Sequence, residues 1–581
     1  MLSIIKNLKW YFKEHKKMYF TLTFMIIFIS YLTTLTPKLI GQLIDYIAMD
    51  ALTGERFTYL IIAITILPIA TYLLNRFYHH NLNLRGEDLS KEMRIRYLAK
   101  LFSSDIELYE SYNKGELISR VSNDLLAITQ AVTVVLSDVT YCFTLLAFIL
   151  LTMIFTISFK LTVIAFLIIP ITFWLISLLL NHMRKYYKIH RKIYAKFFDS
   201  ILESLEGMRV VRAYVYEEDD LAKNQNAIMD DINSWRKIVK FETIFTPMFE
   251  LVIAISTVLT FVFGTSMVIS GELSPGELIT FSMYITMVSG PILVLANVYN
   301  LINQAMIADT RMQSVMQYEN KVENIDSAKE VAEFKHLLFD RVSYMYPFSD
   351  VNTIDEISLE VFAGETIGIV GPSGSGKSTI LRQLLRDFNP TDGEILINGE
   401  DFKTLKMEDV RNLVGYVPQS DILFSGTLSE NLDISKGHVD EQTKYSAMYI
   451  ADMGHDIKRM ECGINTELGE GGAGLSGGQK QRLSIARAIL KDPQILLLDD
   501  SLSAVDANTE KAIINNLREH RSGKTNIMIT HRFSVVKNAD RIYVVEKGKI
   551  VEVGNHKQLM YNKGWYYEQY LNQTGGENEQ L

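Results

Sequence analysis

Apolar runs the length of a bilayer crossing alternate with basic segments from residue 18 to about residue 302. Six runs, near 18–36, 57–75, 139–159, 161–180, 251–270 and 279–302, predict membrane-spanning helices, because about 20 apolar residues are needed to cross roughly 30 Å of hydrocarbon. The runs 161–180 and 251–270 contain no charged residue, and a helix buried in a soluble protein rarely stays apolar on every face for so long. Beyond residue 335 the pattern changes to short apolar strands, at 366–370, 495–498 and 526–530, interleaved with helical periodicity. That alternation predicts an α/β domain. The expected division is a six-helix membrane domain over 1–320, a linker at 321–334, an α/β domain over 335–573 and a polar tail at 574–581.

Charge sets the orientation, since cytoplasmic flanks retain Lys and Arg. Lys6, Lys9, Lys13, Lys16 and Lys17 precede the first run. Arg85, Lys91, Arg94, Arg96, Lys100, Lys114 and Arg120 lie between runs two and three, and Arg184, Lys185, Lys188, Arg191 and Lys192 follow run four. These segments are assigned to the inside, whereas 50–56, the link at Lys160 and the turn 271–276 are short and poor in basic charge. Both termini are then cytoplasmic, in a cytoplasmic membrane. The inner loops, 80–135 and 183–245, are not rich in Gly, Pro or Ser, which predicts helices continuing beyond the bilayer. No small-residue cleavage site follows the first run, so it reads as an anchor and not as a signal peptide.

Composition agrees with this division. The chain has 581 residues, too many for one core, and 48% are hydrophobic against 22% charged. Its two cysteines, Cys142 and Cys462, provide neither a disulfide framework nor a cysteine metal site. A net charge of −9 with scattered basic residues argues against nucleic-acid binding.

The strand 366–370 runs directly into Gly371, Pro372, Ser373, Gly374, Ser375, Gly376, Lys377, Ser378 and Thr379, a P-loop in strand–loop–helix context. Its glycines turn backbone N–H groups towards phosphate oxygens and the helix N-terminus adds positive potential. Lys377 is placed to reach the β- and γ-phosphates of ATP, and Ser378 to ligate Mg²⁺. The strand 495–498 ends in Asp499 and Asp500, a Walker B pattern that supplies a second metal ligand in Asp499. A helix-length stretch earlier stands Leu475-Ser-Gly-Gly-Gln479, a pentapeptide that P-loop enzymes in general lack.

With these motifs the chain resembles the ABC transporter family, specifically an exporter half-transporter, over its whole length except the tail. The resemblance implies a fold of six transmembrane helices fused to a P-loop NTPase cassette with a helical subdomain. It implies that Gln419 is the Q-loop glutamine that senses Mg²⁺, that His531 is the switch histidine at the γ-phosphate, and that Ser503-Ala-Val-Asp506 is the D-loop. Tyr346 matches the adenine-stacking aromatic. Thr466-Glu-Leu-Gly-Glu-Gly-Gly472 matches the segment through which exporters contact their inner loops, and 103–113 and 207–218 match coupling helices. Leu475, Ser476, Gly477, Gly478 and Gln479 would bind the γ-phosphate held by a second cassette, so the unit that works is a dimer.

One position departs from the family. Where a glutamate base is expected after the Walker B aspartate, this chain has Asp500, one methylene shorter. A base must come within about 2.6–3.2 Å of its proton, so this site is expected to bind ATP and hydrolyse it slowly. The intact signature would complete a competent site on a partner, and the run Asp-Asp-Ser-Leu-Ser-Ala-Val-Asp resembles one member of heterodimeric bacterial multidrug exporters. A homodimer, and an ATP-gated regulator or channel, are the alternatives. The expected cargo is a hydrophobic or amphiphilic drug or lipid taken from the bilayer. Asp138 and Glu250 at the inner boundary either attract cationic cargo or reach into headgroup water. Asn297, Asn300 and Gln304 form either a cavity-lining strip or inter-helix hydrogen bonds. A peptide-processing exporter would carry a protease domain ahead of the first span, and none is expected here.

Overall fold

The computed structural model describes residues 2–574 apart from 324, 326 and 348, and omits the side chains of 2, 168–173, 175–177, 179–182, 245, 246, 249, 293, 296 and 297. The tail predicted at 574–581 lies, except for Thr574, outside the described residues. Two compact units emerge. One comprises Met1–Leu101 and Gly115–Met316, the other Phe102–Lys114 and Gln317–Leu581.

The first unit is helical: α1 (Lys16–Ala48), α2 (Gly54–Ser103), a long helical stretch over Lys114–Ile157, then Phe159–Phe166, Ile168–Glu206, Met208–Ala213, Glu217–Ile269 and Pro275–Met316. Four helices among the described residues are long and apolar enough to span a membrane by length and composition, and they carry the predicted runs one, two, three and five. Run four is divided by a turn at Leu167, and run six lies inside Pro275–Met316. At about 1.5 Å per residue, the 50 residues of α2 and the 53 of Glu217–Ile269 greatly exceed a bilayer, as the composition of the inner loops predicts.

Lipid provides no hydrophobic drive between helices, so small residues and hydrogen bonds hold them together. Gly41 of α1 packs so closely on Pro275–Met316 that a Cβ there would come within 2.6 Å of the Gly276 carbonyl oxygen. Asp45 accepts the Gly276 N–H at 2.7 Å and the Ser274 hydroxyl at 2.7 Å, and Tyr284 donates to the Thr34 carbonyl at 2.7 Å. At the other end, the segment Gly115–Asp124 is more than an amphipathic surface. Arg120 and Asp124 are buried, Arg120 donates to the Arg311 carbonyl at 2.7 Å, and Arg311 pairs with Asp124 at 2.5 Å.

In the second unit β2 (Ile354–Phe362), β1 (His336–Tyr344), β4 (Asp392–Ile397) and the two-residue strand Glu400–Asp401 form, in that order, a four-stranded antiparallel sheet. The main sheet has six strands in the order β9-β8-β3-β7-β6-β5, where β3 is Thr366–Val370, β5 Val414–Val417, β6 Ile495–Asp499, β7 Thr525–Ile529, β8 Arg541–Glu546 and β9 Lys549–Gly554. All its pairings are parallel except β8 with β9. A parallel sheet buried on both faces takes near-continuous apolar strands, and Leu496, Leu497 and Leu498 of β6 are buried accordingly. Short helices at Leu428–Asp433, Glu441–Ile450 and Gly454–Arg459 form the helical part. Phe102–Lys114 belongs to this unit although long helices flank it in sequence. Its helix α3 (Ile106–Ser111) packs Ile106 against the cassette core.

Candidate nucleotide site

Open parallel α/β sheets bind ligands beyond the carboxyl ends of their strands, and four such ends converge here. β3 leads into the P-loop, β6 ends at Asp499, β7 is followed by Thr530 and His531, and β5 is followed by Gln419. Gly376 takes φ +100° at the N-cap of the helix Lys377–Leu384 (α4), and a Cβ there would strike the Thr353 carbonyl oxygen at 2.6 Å. Only glycine suits both demands.

Lys377 is buried and its ammonium donates to the carbonyls of Gly371 at 2.9 Å and Pro372 at 2.7 Å. Burial holds it below the usual lysine range, against the pull of Asp499 and Asp500. Ser378 donates to Asp499 at 2.9 Å. Burial raises the Asp499 carboxyl above the usual aspartate range, the Ser378 hydrogen bond pulls it down and the neighbouring Asp500 raises it further. This hydroxyl–carboxylate pair is a set of hard oxygen donors, the chemistry Mg²⁺ selects. Asp500 takes φ +46°, a left-handed conformation that Asp tolerates better than most side chains. Its carbonyl accepts from the Ser503 hydroxyl at 3.0 Å.

Tyr346 directs its hydroxyl at Thr379, 3.3 Å away, and its ring meets Tyr344 and Phe388 edge-on. His531 and Gln419 are exposed. The signature turn is locally complete. Ser476 caps the helix Gly477–Leu490, its side chain accepting from the Gln479 N–H while Gln479 accepts from the Ser476 N–H at 2.9 Å. Leu475 packs on the core. Ser476 and Gly477 are exposed, and among the described residues no hydrogen bond joins this turn to Gly371–Thr379. Asp506 caps the helix Ala507–His520, and the N–H groups of Asn508 and Thr509 it accepts, with the Thr509 hydrogen bond foremost, hold its carboxyl below the usual range. The structure thus brings together the P-loop, Asp499 and Asp500, with His531 on the adjoining strand end, and leaves the signature turn apart.

Two residues escape sequence reasoning. Tyr416 places its hydroxyl 3.5 Å from Asp499. Arg532 donates to the carbonyls of Ser503 at 2.8 Å and Val505 at 3.0 Å, tying the segment after His531 to the segment after Asp500. Each stands beside a motif residue, but only the three-dimensional pairing of β5 with β6 and of β6 with β7 brings it to its partner.

Residues 19–292 match the model of the ABC transporter transmembrane region and residues 354–503 that of the ABC transporter domain. The chain is 34% identical over 573 residues to the probable multidrug resistance ABC transporter ATP-binding/permease protein YheI of Bacillus subtilis (strain 168), covering 99% of this chain and 98% of the relative. It is 31% identical to the ATP-dependent lipid A-core flippase of Desulfotalea psychrophila, covering 97% and 98%. A solved structure of a bacterial Atm1-family ABC exporter with ATP bound superposes with a TM-score of 0.81 over 96% of this chain and 99% of that one, at 24% identity. One membrane domain joined to one nucleotide-binding cassette, matched over nearly its whole length by such relatives, places this chain in the ABC transporter family as an exporter-type half-transporter.

Proposed function

We propose that this chain is one half of a heterodimeric exporter of hydrophobic or amphiphilic compounds in the cytoplasmic membrane, with its cassette in the cytoplasm and its own ATP site slow to hydrolyse. Asp500 carries the reading. Its shorter side chain leaves the attacking water without a well-placed base, whereas the capped signature turn Ser476–Gln479 is fit to complete the site of a partner. The names of the relatives, a multidrug resistance transporter and a lipid A-core flippase, support an apolar cargo.

In this reading the P-loop N–H groups and Lys377 hold the β- and γ-phosphates, Ser378, Asp499 and Gln419 hold Mg²⁺, and Tyr346 stacks on adenine. Bound Mg²⁺ neutralises phosphate charge. Lys377 exchanges the carbonyls of Gly371 and Pro372 for phosphate oxygens, and His531 closes on the γ-phosphate. In this reading 103–113 and 207–218 are the coupling helices that carry cassette closure to the membrane.

The test compares the ATPase rate of the purified subunit alone with that of the complex obtained by co-expression with a second half-transporter. Negligible turnover alone and strong turnover in the complex are expected. Robust turnover alone, abolished by Asp500→Asn, would make the protein a homodimeric pump whose aspartate serves as the base.

A further inference from the structure

Arg382 projects from α4, the helix whose first turn carries Lys377 and Ser378, and its guanidinium meets four groups. Nη2 donates to Glu110 at 2.8 Å, Nη1 lies 3.4 Å from the Tyr346 hydroxyl, Nε lies 3.4 Å from Asp387, and the cation stands 4.6 Å from the Phe388 ring centroid. The Arg382 side chain is only 23% exposed. Thr379, which shares the Tyr346 hydroxyl, is three residues earlier on the same face of α4. A planar fork with five fixed donors can hold several partners at once.

Three acidic residues of Phe102–Lys114 bind the cassette. Asp105 accepts from the Tyr318 hydroxyl at 2.7 Å, Glu107 pairs with Lys321 at 2.5 Å, and Glu110 pairs with Arg382. The first two partners lie at the start of the Gln317–Leu581 part of the second unit, ahead of the cassette's first strand. The contact of Glu110 continues to the nucleotide site, because Tyr346, whose ring stands edge-on to the stacked pair Tyr344 and Phe388, has its hydroxyl beside both Arg382 and Thr379.

We propose that Arg382 is a positioning residue that couples Tyr346 to Glu110, so that occupation of the base site strengthens the hold of the cassette on α3. This rests on the reading of Tyr346 as the base-stacking aromatic. Coupling between two sites is reciprocal, so loss of Glu110, which touches no nucleotide in this reading, weakens binding of a nucleotide with a base. A phosphate chain lacking a base does not engage Tyr346 and is unaffected.

The experiment measures displacement of a fluorescent ATP analogue from this chain's site in the full-length dimer, by MgATP and separately by inorganic tripolyphosphate with Mg²⁺. Glu110→Ala and Arg382→Lys are each expected to weaken ATP binding about fivefold, to leave tripolyphosphate unchanged, and to be non-additive when combined. Equal loss for both ligands would mean a merely structural contact and would overturn the proposal, as would unchanged ATP affinity. Glu110 is half-exposed, so Glu110→Ala tests the link without emptying a core position. Tyr346→Ala separates the two levels. If it spares ATP binding, the base-stacking reading and the coupling both fail; if it weakens ATP selectively while Glu110→Ala does not, the coupling alone fails.

Discussion

One methylene separates Asp500 from the glutamate expected at its position, and the backbone there takes φ +46°. Proton transfer by a positioned base contributes about 10²–10⁴-fold to rate, so extending the side chain is expected to pay directly in turnover. In the assembled complex with the partner's own site silenced, Asp500→Glu is predicted to raise hydrolysis at this site about 10²-fold. Radiolabelled phosphate release measures it, and an unchanged rate would show that reach does not limit the site. Lys377 shows a different kind of residue-scale preparation. Its ammonium is buried on two carbonyls of its own loop, so the charge is already desolvated and directed. In the proposed reading, entering phosphate oxygens would replace these neutral acceptors with charged ones, and charge-assisted hydrogen bonds are roughly twice as strong.

At the scale of elements, Met208–Ala213 buries none of its residues within the chain, and Tyr214 and Val215 beside it are 79% and 84% exposed. Large exposed apolar side chains at the turn between two long helices make it the candidate surface for the coupling role proposed for 207–218. Tyr214→Ser with Val215→Ser is predicted to leave the melting temperature of the complex unchanged while abolishing stimulation of its ATPase by transported compounds. Intact stimulation would remove this turn from the coupling route. That long helices continue beyond the bilayer was legible from composition, since inner loops not rich in Gly, Pro or Ser read as helix, and so were the P-loop and the signature, whose local spacing is their geometry. The break of run four at Leu167 was not legible, because an apolar stretch looks alike on both sides of a turn. Nor were the contacts of Arg120, Arg382 and Arg532, since each is defined by a partner distant in sequence: Arg311, Glu110 and Ser503. Periodicity reports which face of a helix is apolar, not which cation on the other face finds a partner.

For the whole molecule, the apolar window of α2 is only 6% buried within the chain. That surface must face lipid or another subunit, which agrees with a cassette whose signature turn meets no phosphate loop of its own. The exposed cap at Ser476 also has a genetic consequence. In a heterodimer, damage is felt where the damaged group acts and not in the gene that encodes it. Under the proposed heterodimer, loss of Lys377 would disable a site that contributes little turnover, while Ser476→Arg would obstruct the anion pocket serving the partner's site. In cells that depend on the pump, alleles of this gene are therefore predicted to rank in reverse of the usual order, with P-loop changes tolerated and signature changes dominant-negative, as resistance to an exported toxic compound would report.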